Sequence, residues 1–434
     1  MQRTLASELP GHVGEEVKLV GWLHHVRDKG KIAFLLVRDR TGVAQGVVLD
    51  PSKVSVADLK RESIVEVTGL VKEEKQARSG VELEVRSVKA LIEPVAELPF
   101  EVSRSRQKLN LKIDSILDHR AFSLRNPEFA APFRVQAEIV RTFSDYLRGL
   151  GFLDIHTSKI VKAGTEGGTA LFPIKYFDEE AYLAQSPQFY KQMLVGAGFE
   201  RVFEVGFVYR AEDHATSRHI NEYLSLDFEM GFIESYTDVI EVERGFLKRL
   251  VENLGANNAA EFELLKAELP RVGEMPEIRL KDALEILAKD YGRDTKGMED
   301  LDPEGERQIC DYALKTLGSD FVFVSRYPRS ARPFYTMPDP DDPDSTLGFD
   351  CLFRGLEVTT GSQRIHDFQM LVDSIRRIGG RPENFGFYLE IFKYAMPPHG
   401  GLAIGAERLT QQLLGLANVR EASFFPRDRF RLTP

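Results

Sequence analysis

The chain has 434 residues, of which 43% are hydrophobic, and this length exceeds what one hydrophobic core usually organises, so two domains are expected. The formal net charge of -10 argues mildly against a polyanionic partner unless Lys and Arg are concentrated locally. The two cysteines, Cys310 and Cys351, lack the spacing of a disulfide framework or a zinc site, which favours a reducing, cytoplasmic setting. Without a run of about 18 apolar residues or an apolar signal core, no association with a membrane is predicted.

Short strands dominate the first hundred residues. They are predicted at 17–26, 32–38, 43–49, 64–71 and 81–88. The last of these shows a clear alternation of apolar and charged residues, which is typical of a strand with one buried face. Five short strands suit a small closed barrel of the OB type over residues 1–98, with an SH3-like barrel as the structural alternative.

A basic stretch broken by prolines follows the predicted barrel. Pro94 and Pro99 end the strand pattern, and several cations then occur close together, namely Arg104, Arg106, Lys108 and Lys112. On composition alone this stretch reads as a solvated linker, although a local contact with RNA stays open. We therefore predict a hinge at 99–126 and a domain boundary at its end.

From Pro127 onward, helix and strand signals alternate irregularly. Apolar residues at spacings of three and four after Pro127 predict an amphipathic helix. Further strands are predicted at 182–184, 201–208, 225–232, 351–359 and 401–404, and helices at 188–196, 235–254, 280–289, 304–316, 366–378 and 407–416. Because regular crossover helices are lacking, the pattern favours an α+β domain at 127–434, with a mostly antiparallel sheet flanked by helices.

Two stretches that carry arginine stand out, because the chain has neither a P-loop nor a convincing dinucleotide fingerprint. In the first, an apolar strand is expected to place Arg210 and Glu212 on one face, ahead of a turn-rich loop with Arg218 and His219. In the second, a strand runs into a helix whose first turn holds Arg408. An arginine fork suits phosphate recognition, and a helix N-terminus favours anions. Either stretch alone reads as a solvated face, but the two together are not explained in that way.

These two stretches resemble motifs 2 and 3 of the class II aminoacyl-tRNA synthetases, and the resemblance extends over nearly the whole chain. Residues 104–127 resemble the hinge of that family, and residues 128–157 resemble motif 1, its dimer-forming element. Ser158 stands where the family usually has proline, a departure that concerns the dimer interface. Segments 184–192 and 357–367 are similar to the aspartyl-specific signatures, so the resemblance implies an aspartyl-tRNA synthetase that forms a homodimer.

The resemblance implies an aspartate site whose residues come from several segments, namely Glu166, Gln188, Lys191, Arg210, Asp227, Thr360 and Arg364. The chemistry agrees, because a side-chain carboxylate needs cations that an asparagine pocket would leave unpaired, and Lys191 and Arg364 are the candidates. Residues 165–168 resemble a mobile loop that closes over the amino acid. Glu166, Gln188 and Asp227 would accept from the substrate ammonium group, although Asp227 could equally hold Lys191 or Arg364.

The same resemblance implies an ATP site that contains Arg210, Glu212, Arg218, His219, Ile220, Tyr223, Glu357, Gly405 and Arg408. Arg210, Glu357 and Arg408 would form its catalytic part: Arg210 would stabilise charge on the α-phosphate, and Arg408 would hold the γ-phosphate. The adenine ring would stack between Arg408 and Tyr223. Mg²⁺ would be bound by oxygens of Asp350, Glu357 and Thr360.

The barrel would bind the anticodon through Arg27, Phe34, Gln45 and, as a weaker match, Glu82. Because only a modest helical stretch separates Asp227 from Asp350, the chain resembles the archaeal type, some members of which charge both tRNA(Asp) and tRNA(Asn). His24 stands where members that discriminate between these tRNAs tend to carry Trp, which favours relaxed specificity.

Two alternatives remain open. The first is an asparaginyl-tRNA synthetase, or a related enzyme that makes asparagine through an aspartyl-adenylate and normally lacks the barrel. Lys191, which follows Ser186-Pro187-Gln188, argues against the asparaginyl enzyme. The second is a synthetase-like, non-catalytic RNA-binding protein, and the joint presence of four charged residues argues against it: Arg210, Glu357, Arg364 and Arg408.

Overall fold

The computed structural model describes residues 1–77, 79–165, 170–213 and 216–434. These residues form two compact units, Met1–Asn126 and Pro127–Pro434. The segment 99–126 belongs to the first unit, and its function as a hinge stays a prediction. Within the described residues, no helix combines the length and the apolar character that crossing a membrane requires.

The first unit contains a closed barrel built from β1 (Arg3–Thr4), β2 (Glu16–Asp28), β3 (Ala33–Asp39), β4 (Gly42–Val48), β5 (Ile64–Glu73) and β6 (Val81–Ile92). The strand order is β1-β2-β3-β4-β6-β5, and the additional pairing of β2 with β5 closes the barrel. This order, in which the last strand lies between β4 and β5, is that of the OB fold and excludes the SH3-like alternative. Buried Leu, Val and Ala side chains of all five long strands fill its interior.

Short helices complete the first unit: α1 (Arg106–Leu109), α2 (Ile113–Asp118) and α3 (Arg120–Ser123). Just after α3, Arg125 donates to Glu62 of the barrel at 3.0 Å, and the Arg125 guanidinium carbon lies 5.5 Å from the Trp22 ring. Glu62 also accepts two hydrogen bonds from Arg38. Burial opposes ionisation of Glu62, but bonds from His24 and Arg38 lower its pKa to about 2.

The second unit is organised by an eight-stranded sheet. Its strands are β7 (Leu153–Asp154), β11 (Arg201–Tyr209), β12 (Glu222–Gly231), β13 (Glu277–Arg279), β14 (Phe321–Ser325), β15 (Gly348–Phe353), β16 (Leu356–Arg364) and β17 (His399–Gly405). Their order is β13-β14-β15-β16-β17-β12-β11-β7, and only the two outermost pairs are parallel. A smaller sheet contains β8 (Ile160–Val161), β9 (Pro173–Tyr176) and β10 (Glu179–Leu183). The mostly antiparallel sheet confirms the predicted α+β class.

Helices cover the large sheet: α4 (Pro127–Gly149), α5 (Gln188–Leu194), α6 (Tyr236–Asn257), α7 (Ala259–Leu265), α8 (Leu280–Tyr291), α9 (Pro303–Tyr312), α10 (Phe368–Arg377), α11 (Gly386–Phe392) and α12 (Ala406–Leu414). The main core lies between the sheet and α4, α6 and α12. One prediction is wrong: residues 351–359 are not a single strand. They form the hairpin of β15 and β16, because Arg354 and Gly355 adopt positive φ angles of 48° and 88° and reverse the chain.

Candidate active site

An open cavity of about 650 Å³ lies at the centre of the large sheet, where β12, β16 and β17 meet the start of α12. All nine residues predicted to bind ATP line this cavity: Arg210, Glu212, Arg218, His219, Ile220, Tyr223, Glu357, Gly405 and Arg408. They come from four separate parts of the chain, so the fold is what brings them together. Their individual roles stay predictions.

Arg210 is placed by the ends of β11 and β12. Its backbone N–H donates to the carbonyl of Asn221 at 2.8 Å. The side-chain amide of Asn221 donates to the carbonyls of Arg210 and Glu212 at 2.7 and 3.1 Å. The Arg210 guanidinium carbon lies 5.6 Å from the centroid of the Tyr223 ring. Asn221, which the sequence analysis missed, therefore fixes the base of the loop on which Arg210 and Glu212 lie.

Arg408 and Glu357 form the opposite wall. Arg408 Nη1 lies 3.2 Å from the carbonyl oxygen of Glu357 and 3.4 Å from its Oε2, while Nε is 3.4 Å from the carbonyl of Arg218. The hydroxyl of Thr360 donates to Glu357 Oε1. Burial opposes ionisation of Glu357, yet Arg408 and the Thr360 hydroxyl hold its pKa below the ordinary value. Glu357 is thus an anion among cations, suited to orient Arg408.

Two acidic residues that the sequence analysis did not single out support these walls. Glu306 of α9 pairs with Arg218 and accepts from the backbone N–H of Glu357 at 3.3 Å, and burial raises its pKa to about 7. Both carboxylate oxygens of Glu407 lie 3.1 Å from the backbone nitrogen of Leu224, and burial raises the Glu407 pKa to about 8. Glu407 thereby ties α12 to β12. The only sign of this role for Glu407 in the sequence was its position next to Arg408.

The residues predicted to recognise the aspartate side chain form a buried layer of alternating charge. Lys191, which is 1% exposed, lies with its Nζ 3.0 Å from Asp227 Oδ1 and 3.4 Å from Glu229 Oε2. Arg364 Nε donates to Glu229 Oε1 at 2.9 Å. Ser225 lines the ATP cavity, and its hydroxyl donates to Asp227, so the layer adjoins the cavity. Glu229 was missed, although the period of two along β12 puts it on the same face as Asp227.

Two of the other predicted aspartate contacts, Arg210 and Thr360, line the ATP cavity, and Gln188 is the first residue of α5. Gln188 is 3% exposed, and its Nε2 has no hydrogen-bond partner among the residues that the structure describes. The same holds for the hydroxyl of Thr165, again within those ranges. Glu166, predicted to contact the ammonium group, lies outside the described residues. A buried donor without a partner is costly, which makes Gln188 a candidate for contact with a ligand.

Asp350 and Glu357 supply the oxygens expected to hold Mg²⁺. Both oxygens of Asp350 accept from Arg332, at 2.9 and 2.5 Å, an ion pair that the sequence analysis missed. Burial raises the pKa of Asp350 to about 6 despite Arg332, and nearby Glu357 adds to the rise. In the described part of the chain, no group of three or more His, Cys, Asp or Glu could hold a metal. Two carboxylates completed by substrate phosphates would still suit Mg²⁺, which is seldom bound by protein ligands alone.

The predicted anticodon residues form two pairs on the barrel. Arg27 and Phe34 are opposite each other on β2 and β3, and Gln45 donates to Glu82 at 2.9 Å. Their contacts with RNA stay predictions. His24 is only 7% exposed, with its Nδ1 2.7 Å from Arg38 Nη1.

Comparison with known proteins agrees with the fold and the cavity. A family model described as tRNA synthetases class II (D, K and N) matches residues 112–429, and one described as OB-fold nucleic acid binding domain matches residues 17–91. The chain therefore belongs to the class II tRNA synthetases, which are ATP-dependent ligases. Within that class it falls among the aspartate–tRNA ligases, as the resemblance implied.

The relatives support that placement over their full length. An aspartate–tRNA(Asp/Asn) ligase of Deinococcus radiodurans is 51% identical, covering 100% of this chain and 99% of that protein. The ligase of the same name from Thermus thermophilus is 48% identical, with 100% of both chains covered. Among solved structures, the asparaginyl-tRNA synthetase of Pyrococcus horikoshii complexed with asparaginyl-adenylate has a TM-score of 0.92 and 30% identity, covering 100% of both chains.

Proposed function

We propose that the protein activates L-aspartate with ATP and transfers the resulting aspartyl group to the 3′ end of tRNA(Asp) and tRNA(Asn). The observation that carries this proposal is the placement of Arg210, Glu357 and Arg408 around one cavity, directly beside the buried layer that contains Lys191 and Arg364. The cavity supplies cations for a triphosphate, and the layer supplies cations for a carboxylate.

In the first step, the aspartate α-carboxylate attacks the α-phosphorus of ATP and pyrophosphate leaves. Arg210 stabilises the charge that develops on the α-phosphate, and Arg408, oriented by Glu357, holds the γ-phosphate. Adenine stacks between Arg408 and Tyr223. Asp350 and Glu357, with the Thr360 hydroxyl, would hold Mg²⁺, which would neutralise phosphate charge when bound. No protein nucleophile is required, because positioning and electrostatics supply the rate.

Recognition of aspartate rests on Lys191 and Arg364. Asp227 and Glu229 pair with these two cations in a buried layer and fix their positions, so that the cations can face the side-chain carboxylate of aspartate. The side-chain amide of Gln188 can accept from the substrate ammonium group through its oxygen, and its buried Nε2 is a donor that suits a carboxylate oxygen of the amino acid. The asparaginyl alternative is disfavoured, because the relatives near 50% identity are named for aspartate, whereas the solved asparaginyl-tRNA synthetase is only 30% identical.

The barrel would recognise the anticodon through Phe34 stacking on a base and through polar contacts of Arg27, Gln45 and Glu82. Relaxed specificity is supported by the names of the relatives, which include both tRNAs. His24, where discriminating members tend to carry Trp, points the same way and would act through its contact with Arg38.

The test is aminoacylation with labelled aspartate on separate tRNA(Asp) and tRNA(Asn) transcripts, with labelled asparagine as the control amino acid. We expect aspartate to be attached to both tRNAs and asparagine to neither. Charging of tRNA(Asp) alone would contradict relaxed specificity only. Asparagine as the preferred substrate would overturn the amino-acid assignment, and charging of neither tRNA would support the non-catalytic alternative.

We further propose a cytoplasmic homodimer. Exposed apolar side chains occur just after α4 and on β7 and β8, namely Leu150, Leu153 and Ile160. Ser158 lies between them in the chain. Covering such side chains in a second copy would remove them from water. Two free, buried cysteines suit a reducing compartment. Analytical ultracentrifugation should give a mass twice that of the chain.

A further inference from the structure

The segment 426–431, here termed the arginine segment, runs beside the loop that joins β11 to β12. The backbone N–H of Asn221, at the end of that loop, donates to the carbonyl of Arg427 at 2.7 Å. Near the start of the loop, Arg429 Nη1 donates to the carbonyl of Asp213 at 3.1 Å and lies 3.3 Å from Asp213 Oδ1. The arginine segment therefore contacts both ends of the loop that carries Arg218 and His219.

The arginine segment is positive on a negative chain. Three arginines, Arg427, Arg429 and Arg431, against one acid, Asp428, leave a net charge of 3 - 1 = +2, whereas the whole chain has a net charge of -10. A cationic patch on an acidic protein concentrates a polyanion at one place and leaves the rest of the surface repulsive.

Exposure distinguishes the middle of the arginine segment. The Arg429 side chain is 52% exposed, and its partner Asp213 is 87% exposed. Phe430 is 81% exposed, and the Arg429 guanidinium carbon lies 5.9 Å from the centroid of its ring. An exposed aromatic ring beside a cation is the combination with which proteins bind single-stranded nucleic acid, the ring stacking on a base and the cation contacting the backbone.

We infer that the arginine segment binds the acceptor strand of tRNA, with Arg429 contacting a phosphate and Phe430 stacking on an unpaired base. This inference rests on the proposed function and deepens it, because it states where the second substrate enters. Arg218 and His219 line the ATP cavity and lie on the loop that the arginine segment contacts, so a strand bound there is next to the adenylate. Arg429 and Phe430 are not part of the cavity lining, which separates them from the ATP site.

A structural role is the competing explanation, since Arg429 could serve only to hold Asp213 and the loop. The two explanations differ in what a matched pair of substitutions does. Arg429→Gln removes both the cation and the ion pair, whereas Asp213→Asn removes the ion pair and leaves the cation. If the cation contacts RNA, only the first substitution weakens tRNA binding. If the ion pair holds the loop, both variants lose activity together.

The experiment measures aspartate attachment to tRNA over a range of tRNA and salt concentrations, and aspartate-dependent exchange of pyrophosphate into ATP without tRNA. For Arg429→Gln we expect the KM for tRNA to rise about 5- to 20-fold while pyrophosphate exchange is unchanged. The slope of log affinity against log salt concentration should become less steep by about the amount that one phosphate contact contributes. Asp213→Asn should stay within about twofold of the parent, and Arg429→Lys should recover most of the affinity. Phe430→Ala should raise the KM, and Phe430→Tyr should not.

Three outcomes would each overturn the inference. Arg429→Gln and Asp213→Asn could have parallel effects, Arg429→Gln could leave the KM for tRNA and the salt dependence unchanged, or Arg429→Gln could lose pyrophosphate exchange. Failure of the proposed function would look different, because the parent protein itself would then show no aspartate-dependent exchange. A parent that exchanges normally beside an Arg429→Gln variant with normal tRNA kinetics overturns only the role of the arginine segment.

Discussion

At the residue scale, the second unit holds three buried glutamates with raised pKa values, and one of them, Glu407, lines the ATP cavity. Burial raises the pKa of Glu306 to about 7 and that of Glu407 and Glu243 to about 8. The shared cause is loss of water around a group that would otherwise be charged. Glu243 lies on α6, where its Oε1 accepts from the hydroxyl of Thr359 on β16 at 2.6 Å. Near neutral pH it is held as a neutral acid that can support β16 without adding charge.

This state of Glu243 predicts how stability depends on pH. Its pKa is higher in the folded protein than in the unfolded chain, so the stabilisation is complete below about pH 4.5 and is lost as the pH rises to about 8. Glu243→Gln stays neutral and can still accept from Thr359. We therefore expect the free energy of unfolding of the variant, relative to the parent, to improve between pH 5 and pH 8 by up to about 1.4 kcal/mol per pH unit. Urea unfolding at a series of pH values measures this difference.

Glu252 provides the control, because it lies on the same helix with its side chain 66% exposed. Glu252→Gln should show no such trend over this pH range, since the substitution of a solvent-exposed side chain alters no buried contact. A difference between Glu243→Gln and the parent that does not change with pH would mean that Glu243 is ionised in the folded protein.

At the scale of the elements, the sequence predicts what local pattern determines and misses what distant contacts determine. The five long barrel strands, α4 and α6 follow from hydrophobic period and lie within a few residues of their predicted bounds. The hairpin of β15 and β16 was predicted as one strand because both arms are apolar and the turn at Arg354 and Gly355 is short. The ion pair of Arg332 with Asp350 joins segments 18 residues apart and leaves no periodic signal.

The close packing of β12 against β17 predicts the effect of one added methyl group. A Cβ on Gly401 would overlap the carbonyl oxygen of Phe228 and the Glu229 carboxylate, which is the partner of Arg364. Gly401→Ala should therefore displace Arg364 and raise the KM for aspartate about tenfold or more, with a smaller change in the KM for ATP. Pyrophosphate exchange at varied aspartate and ATP measures both constants.

Gly386, the first residue of α11, is the matched control. A Cβ there meets no described atom within 4 Å, and its φ of -53° is helical, so Gly386→Ala should leave both constants unchanged. Equal increases for aspartate and ATP in Gly401→Ala would indicate a general disturbance of the sheet and would contradict the assignment of Arg364 to aspartate.

At the scale of the whole molecule, two compact units carry two kinds of chemistry. No described residue of the barrel lines the ATP cavity, and the lining residues all belong to the second unit. Adenylate formation should then depend on the second unit alone, whereas charging depends on both. Substitutions in the first unit should therefore impair charging alone, whereas substitutions at the cavity of the second unit should impair both exchange and charging.

Phe34 and Arg408 allow that separation to be measured. Phe34→Ala removes a half-buried ring proposed to stack on an anticodon base, a contact worth about 1–3 kcal/mol, so the KM for tRNA should rise on the order of tenfold or more while aspartate-dependent exchange is unchanged. Phe34→Tyr keeps the ring and should preserve the KM. Arg408→Ala should instead reduce exchange and charging together, because the γ-phosphate loses its cation. Loss of exchange in Phe34→Ala would show that the barrel acts on the adenylation step and that the two units are not independent.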